Sequence, residues 1–311
     1  MNPRPIVIDC DPGADDAIAI LLALASPDEL DVVGINTVAG NVDVDRTSAN
    51  ARRICDLAGR GDVPVHAGCR GSILRPRNDA RHVHGDTGLD GADLPAPAGP
   101  IADCHAVDFL IETCAARPGE VTLCAMGPLT NVALAMIKDP EIVDNVDEIV
   151  IMGGAVGAGN VMPSAEFNMY VDPHAAAVVF ASGARSTMIG LDVTSQAIVT
   201  PERIDAIRAL DTSVGRAAAG LLDHYHRLEH ERLGVLGAPL HDPCVIAYLL
   251  RPDLFSGREA FVDVDVKSES TMGRTVVDLW GVTGRGANTT VIERIDADGF
   301  FELLIERLVR L

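Results

Sequence analysis

Short apolar runs rich in Val and Ile alternate along the chain with alanine-rich segments whose apolar positions recur at helical spacing. Such alternation is typical of βαβ units, in which helices flank a parallel sheet. The apolar runs predict strands at Ile6–Asp9, Val32–Val38, Val63–His66, Val121–Met126, Glu148–Met152 and Met188–Leu191. The helical segments predict helices at Asp16–Ala25, Val44–Ala58, His105–Ala116, Leu129–Lys138, Pro173–Ala181, Val214–Glu231, Asp242–Leu250 and Phe300–Leu308. The pattern therefore predicts an α/β fold with an open, mostly parallel, Rossmann-like sheet flanked by helices.

Two later β-like runs, Phe261–Val266 and Thr275–Leu279, predict a small β addition near the C-terminal third, as a hairpin or at the sheet edge. No internal repeat, low-complexity tract or linker rich in Pro, Gly or Ser divides the chain, so residues 1–311 are predicted to form a single domain. Residues 70–100 are polar and rich in Gly and Pro. Because a loop of this length in a compact domain is often a lid or binding loop, we predict a mobile active-site loop there.

Composition and charge narrow the range of partners. No window approaches about 18 uninterrupted apolar residues, and the amino terminus lacks a signal-peptide layout, so we expect a cytoplasmic protein without membrane contact. The formal net charge is −20, with Lys only at 138 and 267, which argues against nucleic acid as a partner. Seven Cys without a CxxC pair argue against disulfides and a zinc site. A neutral or cationic ligand, or a metal ion, is favoured.

Four carboxylates crowd the turn between the first predicted strand and the first predicted helix, at Asp9, Asp11, Asp15 and Asp16. In an open parallel sheet this turn lies at the carboxyl ends of the strands, where ligands bind. Helix capping would account for one or two of the acids, and for any single acid it is the simpler explanation. Four carboxylates this close would repel one another unless a cation neutralised them. An all-oxygen cluster selects a hard ion such as Ca²⁺ or Mg²⁺.

Two other acidic motifs fit this turn less well. An EF-hand loop counted from Asp9 would have its turn Gly one position early, and Ile20 would stand where the final Glu belongs. A DxD after an apolar strand also opens the aspartyl-phosphate phosphatases, in which the first Asp is the nucleophile and Mg²⁺ assists. Gly13 replaces the small hydroxyl residue or Val usual in those enzymes, and the chain has few lysines to contact phosphate. A Mg²⁺-dependent phosphatase is therefore the runner-up.

The stretch from Asp9 to Asp16 resembles the DxDPGxDD motif of the nucleoside hydrolases, the calcium-dependent N-ribohydrolases that include the inosine-uridine preferring type. Further blocks resemble the same family in the same order: TVAGN (37–41), HGDTGLDG (84–91), MGPLTN (126–131), IMGGA (151–155), GNVMPSAEFNMYVDPHAA (159–176) and HDP (241–243). Together they cover most of the chain and leave its C-terminal part weakly constrained. The resemblance implies an enzyme that converts a ribonucleoside and water into ribose and a free base.

The resemblance also implies a metal site. In the family pattern Ca²⁺ is held by positions that correspond to Asp11, Asp16, Asp242 and the backbone carbonyl of Met126. Three carboxylates and a carbonyl leave room in the coordination shell of Ca²⁺ for a water and two ribose hydroxyls. By the same resemblance, Asp11 takes the proton from the attacking water and Asp15 hydrogen-bonds a ribose hydroxyl.

Three residues of the GNVMPSAEFNM segment match positions that hold the 5′- and 3′-hydroxyls of ribose in the family, namely Asn160, Glu166 and Asn168. Their amide and carboxylate groups suit sugar hydroxyls, although capping of the loop explains an isolated Asn equally well. Asn41, at the end of the second predicted strand, is assigned to ribose or to support of Asp11.

The base side of the implied site involves histidines and aromatic residues. His241 directly precedes Asp242 and matches the acid that protonates the leaving base, a role suited to His near neutral pH. His84 matches a histidine that closes over the substrate, and an ordinary solvated or buried histidine is an equal alternative. Phe167 lines the base pocket or fills the core. Tyr225 contacts the base or faces solvent.

Several functions are left open by the residues. The leading hypothesis is Ca²⁺-dependent hydrolysis of ribonucleosides. A Mg²⁺-dependent phosphatase, a non-catalytic binder of nucleosides or ribose, and a protein that calcium merely stabilises are the alternatives. The base preference is undecided, because residues 224–230, which often decide it in the family, cannot be aligned. Members of the family are commonly dimers or tetramers, so a homo-oligomer is expected.

Overall fold

The computed structural model describes residues 2–76, 78–233 and 237–311. The strands in these ranges are β1 (Arg4–Cys10), β2 (Leu30–Thr37), β3 (Val65–Ala67), β4 (Thr122–Ala125), β5 (Glu148–Met152), β6 (Ser186–Ile189), β7 (Ile198–Val199), β8 (Ala238–Pro239), β9 (Phe255–Val264), β10 (Thr275–Asp278) and β11 (Thr289–Ile295). The helices are α1 (Ala14–Leu24), α2 (Val44–Leu57), α3 (Arg81–His84), α4 (Ala106–Ala116), α5 (Thr130–Lys138), α6 (Ile142–Asn145), α7 (Phe167–Val171), α8 (Pro173–Ala181), α9 (Leu191–Thr194), α10 (Pro201–Arg208), α11 (Ser213–Leu233), α12 (Pro243–Leu250) and α13 (Ala297–Leu308), with a 3₁₀ turn at Pro252–Leu254.

Within the described residues, nine strands form one sheet in the order β10-β9-β11-β6-β5-β4-β1-β2-β3. The strands β1 to β6 are all parallel, and their order 3-2-1-4-5-6 is that of Rossmann sheets. The strand order reverses between β1 and β4, and ligands of open α/β sheets bind at such a switch point. The predicted fold, a single domain with an open and mostly parallel sheet, is confirmed.

The predicted β addition is also confirmed, and it is larger than predicted. Strand β9 pairs antiparallel with β10 and β11, and β11 continues the sheet parallel to β6. The prediction missed the first half of β9 and all of β11. The first half of β9 is largely exposed and polar, and β11 also mixes exposed and buried positions irregularly. Neither an apolar run nor a strict alternation therefore marks these strands.

Several other predicted bounds differ from the structure, and some short helices were not predicted. Strand β6 ends at Ile189 instead of Leu191, because Gly190 caps the short helix α9, which begins at Leu191. Strand β3 begins two residues later and ends one residue later than the prediction Val63–His66. Helix α10 was not predicted, since its surface is mostly polar and only Ile204 and Ile207 are buried.

The core lies on both faces of the sheet because consecutive residues of a strand point to opposite sides. In β1, Ile6 and Ile8 belong to one hydrophobic cluster and Val7 to the other. Helix α1 is buried along its whole length, since α2, α11, α12 and α13 all pack against it. The acidic turn between β1 and α1 is thus held at both ends by core elements.

In their described part, residues 70–100 contain α3 and otherwise irregular structure. Several hydrogen bonds connect them to the rest of the domain. The Ser72 hydroxyl donates to the Val171 carbonyl (2.7 Å), and the Ile73 N–H donates to the Asp172 carboxylate (2.8 Å). The Ala80 N–H donates to the Asn41 carbonyl (3.1 Å). These contacts place the segment beside the switch point, and its mobility stays a prediction.

The structure also bears on the predictions about disulfides and membranes. All seven cysteines are free in the structure. In the part of the chain that the structure describes, no helix is long and apolar enough to cross a membrane.

Candidate active site

A cavity of about 330 Å³ opens at the switch point, beyond the carboxyl ends of β1, β4 and β5. Almost all of the residues that the sequence analysis singled out line it. They are Asp11, Asp15, Asn41, His84, Met126, Asn160, Glu166, Phe167, Asn168, Tyr225, His241 and Asp242. Asp9 and Asp16 of the acidic turn are the exceptions, since both side chains are buried and neither lines the cavity. The fold therefore brings together residues that are up to 231 positions apart in the chain, from Asp11 to Asp242.

Asp11 lies at the cavity floor, 1% exposed, immediately after β1. Its carboxylate accepts a hydrogen bond from the Asn41 N–H (2.7 Å), and the Asn41 side-chain amide donates to the Asp11 carbonyl (3.1 Å). Gly40 and Gly127 flank the carboxylate so closely that a Cβ at either position would collide with it. Two glycines thus let neighbouring loops close around one charged group.

The Asp16 side chain holds the turn between β1 and α1 in place by hydrogen bonds. Its carboxylate accepts hydrogen bonds from the N–H groups of Asp11 (3.2 Å) and Gly13 (2.8 Å) and from the Asn41 side chain (3.2 Å). The capping role that the sequence allowed for an acid in this turn is therefore present at Asp16. Because these bonds link the Asp16 side chain to the backbone of the turn and to Asn41, they hold the turn in a fixed conformation.

One carboxylate oxygen from each of Asp15, Asp16 and Asp242 lies within 4.8 Å of the other two. Burial raises the pKa of each of them, that of Asp16 to about 7, and repulsion from neighbouring carboxylates raises the pKa of Asp242 further. The Asp16 and Asp242 carboxyls are close enough to hydrogen-bond each other. Carboxylates this close need a shared proton or a cation between them. Since the described cavity lining contains no Lys or Arg, this hard oxygen set fits a divalent metal ion.

Asp11 lies next to this tight set without belonging to it. After burial, the charge of Asp16 is the strongest factor that raises the pKa of Asp11 well above its usual value. The Met126 carbonyl, the fourth predicted ligand, also lines the cavity and accepts a hydrogen bond from the Asn168 side chain (2.8 Å). The geometry thus adds Asp15 to the candidate ligands. The predicted set of Asp11, Asp16, Met126 and Asp242 stays a prediction.

Glu166 and Asn168 form part of the cavity wall, and their side chains make hydrogen bonds to its backbone. The Glu166 carboxylate caps α7 by accepting the N–H groups of Asn168 (2.8 Å) and Met169 (3.1 Å), and it also accepts the Gly154 N–H (3.0 Å). Burial raises the pKa of Glu166 to about 7. The Asn168 amide donates to the carbonyl of Met152 as well (3.2 Å). Both side chains therefore face the cavity and also hold its backbone in place.

His84 is buried, and burial lowers its pKa to about 4, so the imidazole is neutral at neutral pH. Its Nδ1 accepts a hydrogen bond from the Ala14 N–H (3.3 Å), which leaves the proton of the neutral ring on Nε2. The ring stacks on Tyr225 with a centroid distance of 5.6 Å. Of the two alternatives for Tyr225, exposure to solvent is wrong, because the ring is 2% exposed and its hydroxyl donates to the Pro239 carbonyl (3.1 Å).

Comparison with known proteins decides the family. The family model described as inosine-uridine preferring nucleoside hydrolase matches residues 6–302. The chain belongs to this family. It is an enzyme that acts on N-glycosyl bonds, and the family hydrolyses ribonucleosides to ribose and a base.

Similar proteins cover nearly the whole nucleoside hydrolase chain. A pyrimidine-specific ribonucleoside hydrolase, RihA, of Shewanella woodyi is 48% identical over 308 residues, which are 98% of this chain and 98% of the relative. Among solved structures, a purine-preferring ribonucleoside hydrolase from Gardnerella vaginalis has a TM-score of 0.93 at 34% identity, with 98% of each chain covered. A plant nucleoside hydrolase has a TM-score of 0.91 at 33% identity, with 99% of each chain covered.

The nucleoside hydrolase cavity also contains residues that the sequence analysis did not single out. They include Leu191, Ser195, Glu229 and Pro239, which lie on or beside α9, α11 and β8. Thr194 lies behind the cavity and contacts His241, and its segment carried no motif. Each comes from the second half of the chain, where the sequence blocks are sparse. A carboxylate that is 4% exposed, as in Glu229, could have been found only from the position of its helix in the fold.

Asn131 is a further missed residue of this nucleoside hydrolase, although it ends the MGPLTN block. Its amide donates to the Asp9 carboxylate (3.0 Å) and to the Thr37 carbonyl (3.1 Å), and its side-chain carbonyl accepts the Cys69 N–H (2.9 Å). Burial raises the pKa of Asp9 to about 7. The pair joins β1, β2 and α5 next to the end of β1, from which the acidic turn begins.

Proposed function

We propose that this nucleoside hydrolase is Ca²⁺-dependent and that Asp11, Asp16, Asp242 and the Met126 carbonyl hold the ion. The observation that carries the proposal is the buried cluster of carboxylates at the cavity floor, with raised pKa values and no lysine or arginine in the described lining. When bound, Ca²⁺ would ligate ribose hydroxyls and make a bound water more acidic.

The chain's own residues supply the rest of the proposed reaction. Asp11 accepts the proton of the attacking water, because it is the carboxylate that both lines the cavity and is fixed by Asn41. Asp15 accepts a hydrogen bond from a ribose hydroxyl. Asn160 and Glu166 bind the 5′- and 3′-hydroxyls with Asn168, and Asn41 supports Asp11 instead of contacting ribose.

The other end of the cavity receives the base. His241 donates a proton to the departing base nitrogen, which avoids expelling an anion. His84 offers Nε2–H as a hydrogen-bond donor, and Phe167 and Tyr225 supply apolar surface against the ring. The proposed substrates are pyrimidine ribonucleosides, since the relative named pyrimidine-specific is more similar to this chain than the solved structure named purine-preferring.

Product analysis tests this function. Purified protein is incubated with uridine, cytidine, inosine and adenosine, and free base and reducing sugar are measured together. We expect equal amounts of base and ribose, faster release from uridine and cytidine, and loss of activity on chelation that Ca²⁺ restores.

Other outcomes identify the alternatives. Release of phosphate from nucleotides without release of base would support the Mg²⁺-dependent phosphatase. Calcium-linked binding of nucleosides without any product would support the binder. Faster release of hypoxanthine or adenine would contradict only the pyrimidine preference. The cytoplasmic location and the homo-oligomeric state stay predictions.

A further inference from the structure

A buried hydroxyl contacts the ring of His241 from behind the cavity. The Thr194 Oγ1 lies 2.7 Å from His241 Nδ1, and Thr194 is 0% exposed. Thr194 does not line the cavity, whereas His241 does. The two residues are 47 positions apart in the chain, so their contact is a product of the fold.

Two further connections hold these segments together. Thr194 ends α9, whose backbone is fixed by the Thr194 N–H donating to the Gly190 carbonyl (3.1 Å). Just beyond, β7 pairs antiparallel with β8, which leads directly into His241, and the Leu240 N–H donates to the Ala197 carbonyl (2.9 Å). This small ladder sets the register of the two segments, so the hydroxyl meets the ring at a fixed position.

The contact involves one particular nitrogen of the His241 ring, Nδ1. A His ring has two nitrogens with different roles, and the partner of one sets the proton on the other. Because Thr194 contacts Nδ1, a hydrogen bond from His241 to a substrate would be made by the other ring nitrogen, Nε2. An Oγ1 that accepts the Nδ1–H keeps that proton in place while Nε2 gives up its own.

We propose that Thr194 is a positioning residue that holds His241 so that Nε2 delivers the proton to the leaving base. The proposal rests on the proposed function. In the step, the Nε2 proton moves to a base nitrogen while the C–N bond breaks and its electron pair stays with the base. The water oxygen bonds to C1′, the water proton passes to Asp11, and solvent later returns a proton from Asp11 to His241.

The test compares two substrates with different leaving groups. Nucleosides need protonation of the base, whereas a nitrophenyl riboside releases nitrophenolate without it. Thr194→Val keeps the shape and removes the hydroxyl, and Thr194→Ser keeps the hydroxyl. Thr187→Val is the matched control, because Thr187 is also buried and its hydroxyl donates to Glu148 at 2.7 Å, away from the cavity.

We expect Thr194→Val to lower kcat for the best nucleoside by about tenfold to a hundredfold with little change in KM, as for other residues that orient a reacting group. The nitrophenyl riboside should be cleaved at nearly the wild-type rate. Thr194→Ser should restore most of the nucleoside activity, and Thr187→Val should leave both activities close to wild type.

An equal loss on both substrates, or no loss on either, would overturn the proposal. If the wild type itself released no base, the proposed function would be contradicted, and a second measurement would then test the role of Thr194. ¹⁵N spectra of the His241 ring should show the neutral ring protonated on Nδ1 in the wild type and shifted toward Nε2 in Thr194→Val. A wild-type ring protonated on Nε2 would overturn the role of Thr194 whatever the activity.

Discussion

Replacing Asp11 with Asn is expected to lower kcat for nucleosides by about 10³-fold or more, because the proposed proton acceptor and one proposed metal ligand are lost together. The shape of the side chain is kept, and an amide oxygen can still accept the Asn41 N–H. The measurement is steady-state release of base at saturating nucleoside and calcium. Asp28→Asn, an exposed carboxylate beyond the far end of α1, is the control and should keep wild-type activity.

The stability of the Asp11→Asn protein separates catalysis from a structural role. Removing one of several mutually repelling buried carboxylates should leave the metal-free protein at least as stable as wild type, as measured by chemical unfolding. If calcium only stabilised the fold, this variant would lose calcium-dependent stability with no loss of kcat. A kcat near the wild-type value would remove Asp11 from the mechanism.

Replacing His241 with Ala is expected to lower kcat for nucleosides by about 10²- to 10⁴-fold, the range usual for a general acid. The reason is that the base would then depart without its proton. A nitrophenyl riboside, which needs no such proton, should be affected far less. His174→Ala, a partly buried histidine of α8 outside the cavity lining, is the control. Equal losses on both substrates would show that His241 binds the substrate or the metal region instead of protonating the base.

The parts of the fold that were predictable are those in which local sequence and final structure agree. The six parallel strands carry apolar runs because both faces of the sheet are covered by helices. The acidic turn was visible because its carboxylates are adjacent in the chain, and its position at the switch point follows from the first βα unit. Strands β9 and β11 were predicted poorly because their polar faces are exposed at the sheet edge.

The parts of the site that were missed are assembled only by long-range packing. Thr194 reaches His241 through the pairing of β7 with β8, two strands of two residues each, which no periodicity reveals. Asn131 was inside a recognised block, yet its contact with Asp9 depends on the neighbouring positions of β1 and α5. Glu229 looked like any acid of a polar helix, and only the approach of α3 to α11 turns that helix face into a cavity wall.

The charges of the residues that line the cavity also bear on the alternative function, a Mg²⁺-dependent phosphatase. A phosphatase site needs cations that neutralise phosphate, usually Arg or Lys. Among the described residues that line this cavity, the titratable groups are carboxylates, histidines and the phenol of Tyr225, and neither Arg nor Lys is present. An acidic floor of this kind would repel a phosphate dianion and suits a neutral sugar held through a cation.

The central claim is that the buried carboxylates hold ribose through calcium, and calorimetric titration of ribose into the protein tests it most directly. The account predicts ribose binding in the presence of Ca²⁺ that weakens by about tenfold or more after chelation, equivalent to at least about 1.4 kcal/mol. Ribose binding that is equally tight in the metal-free protein would contradict the claim.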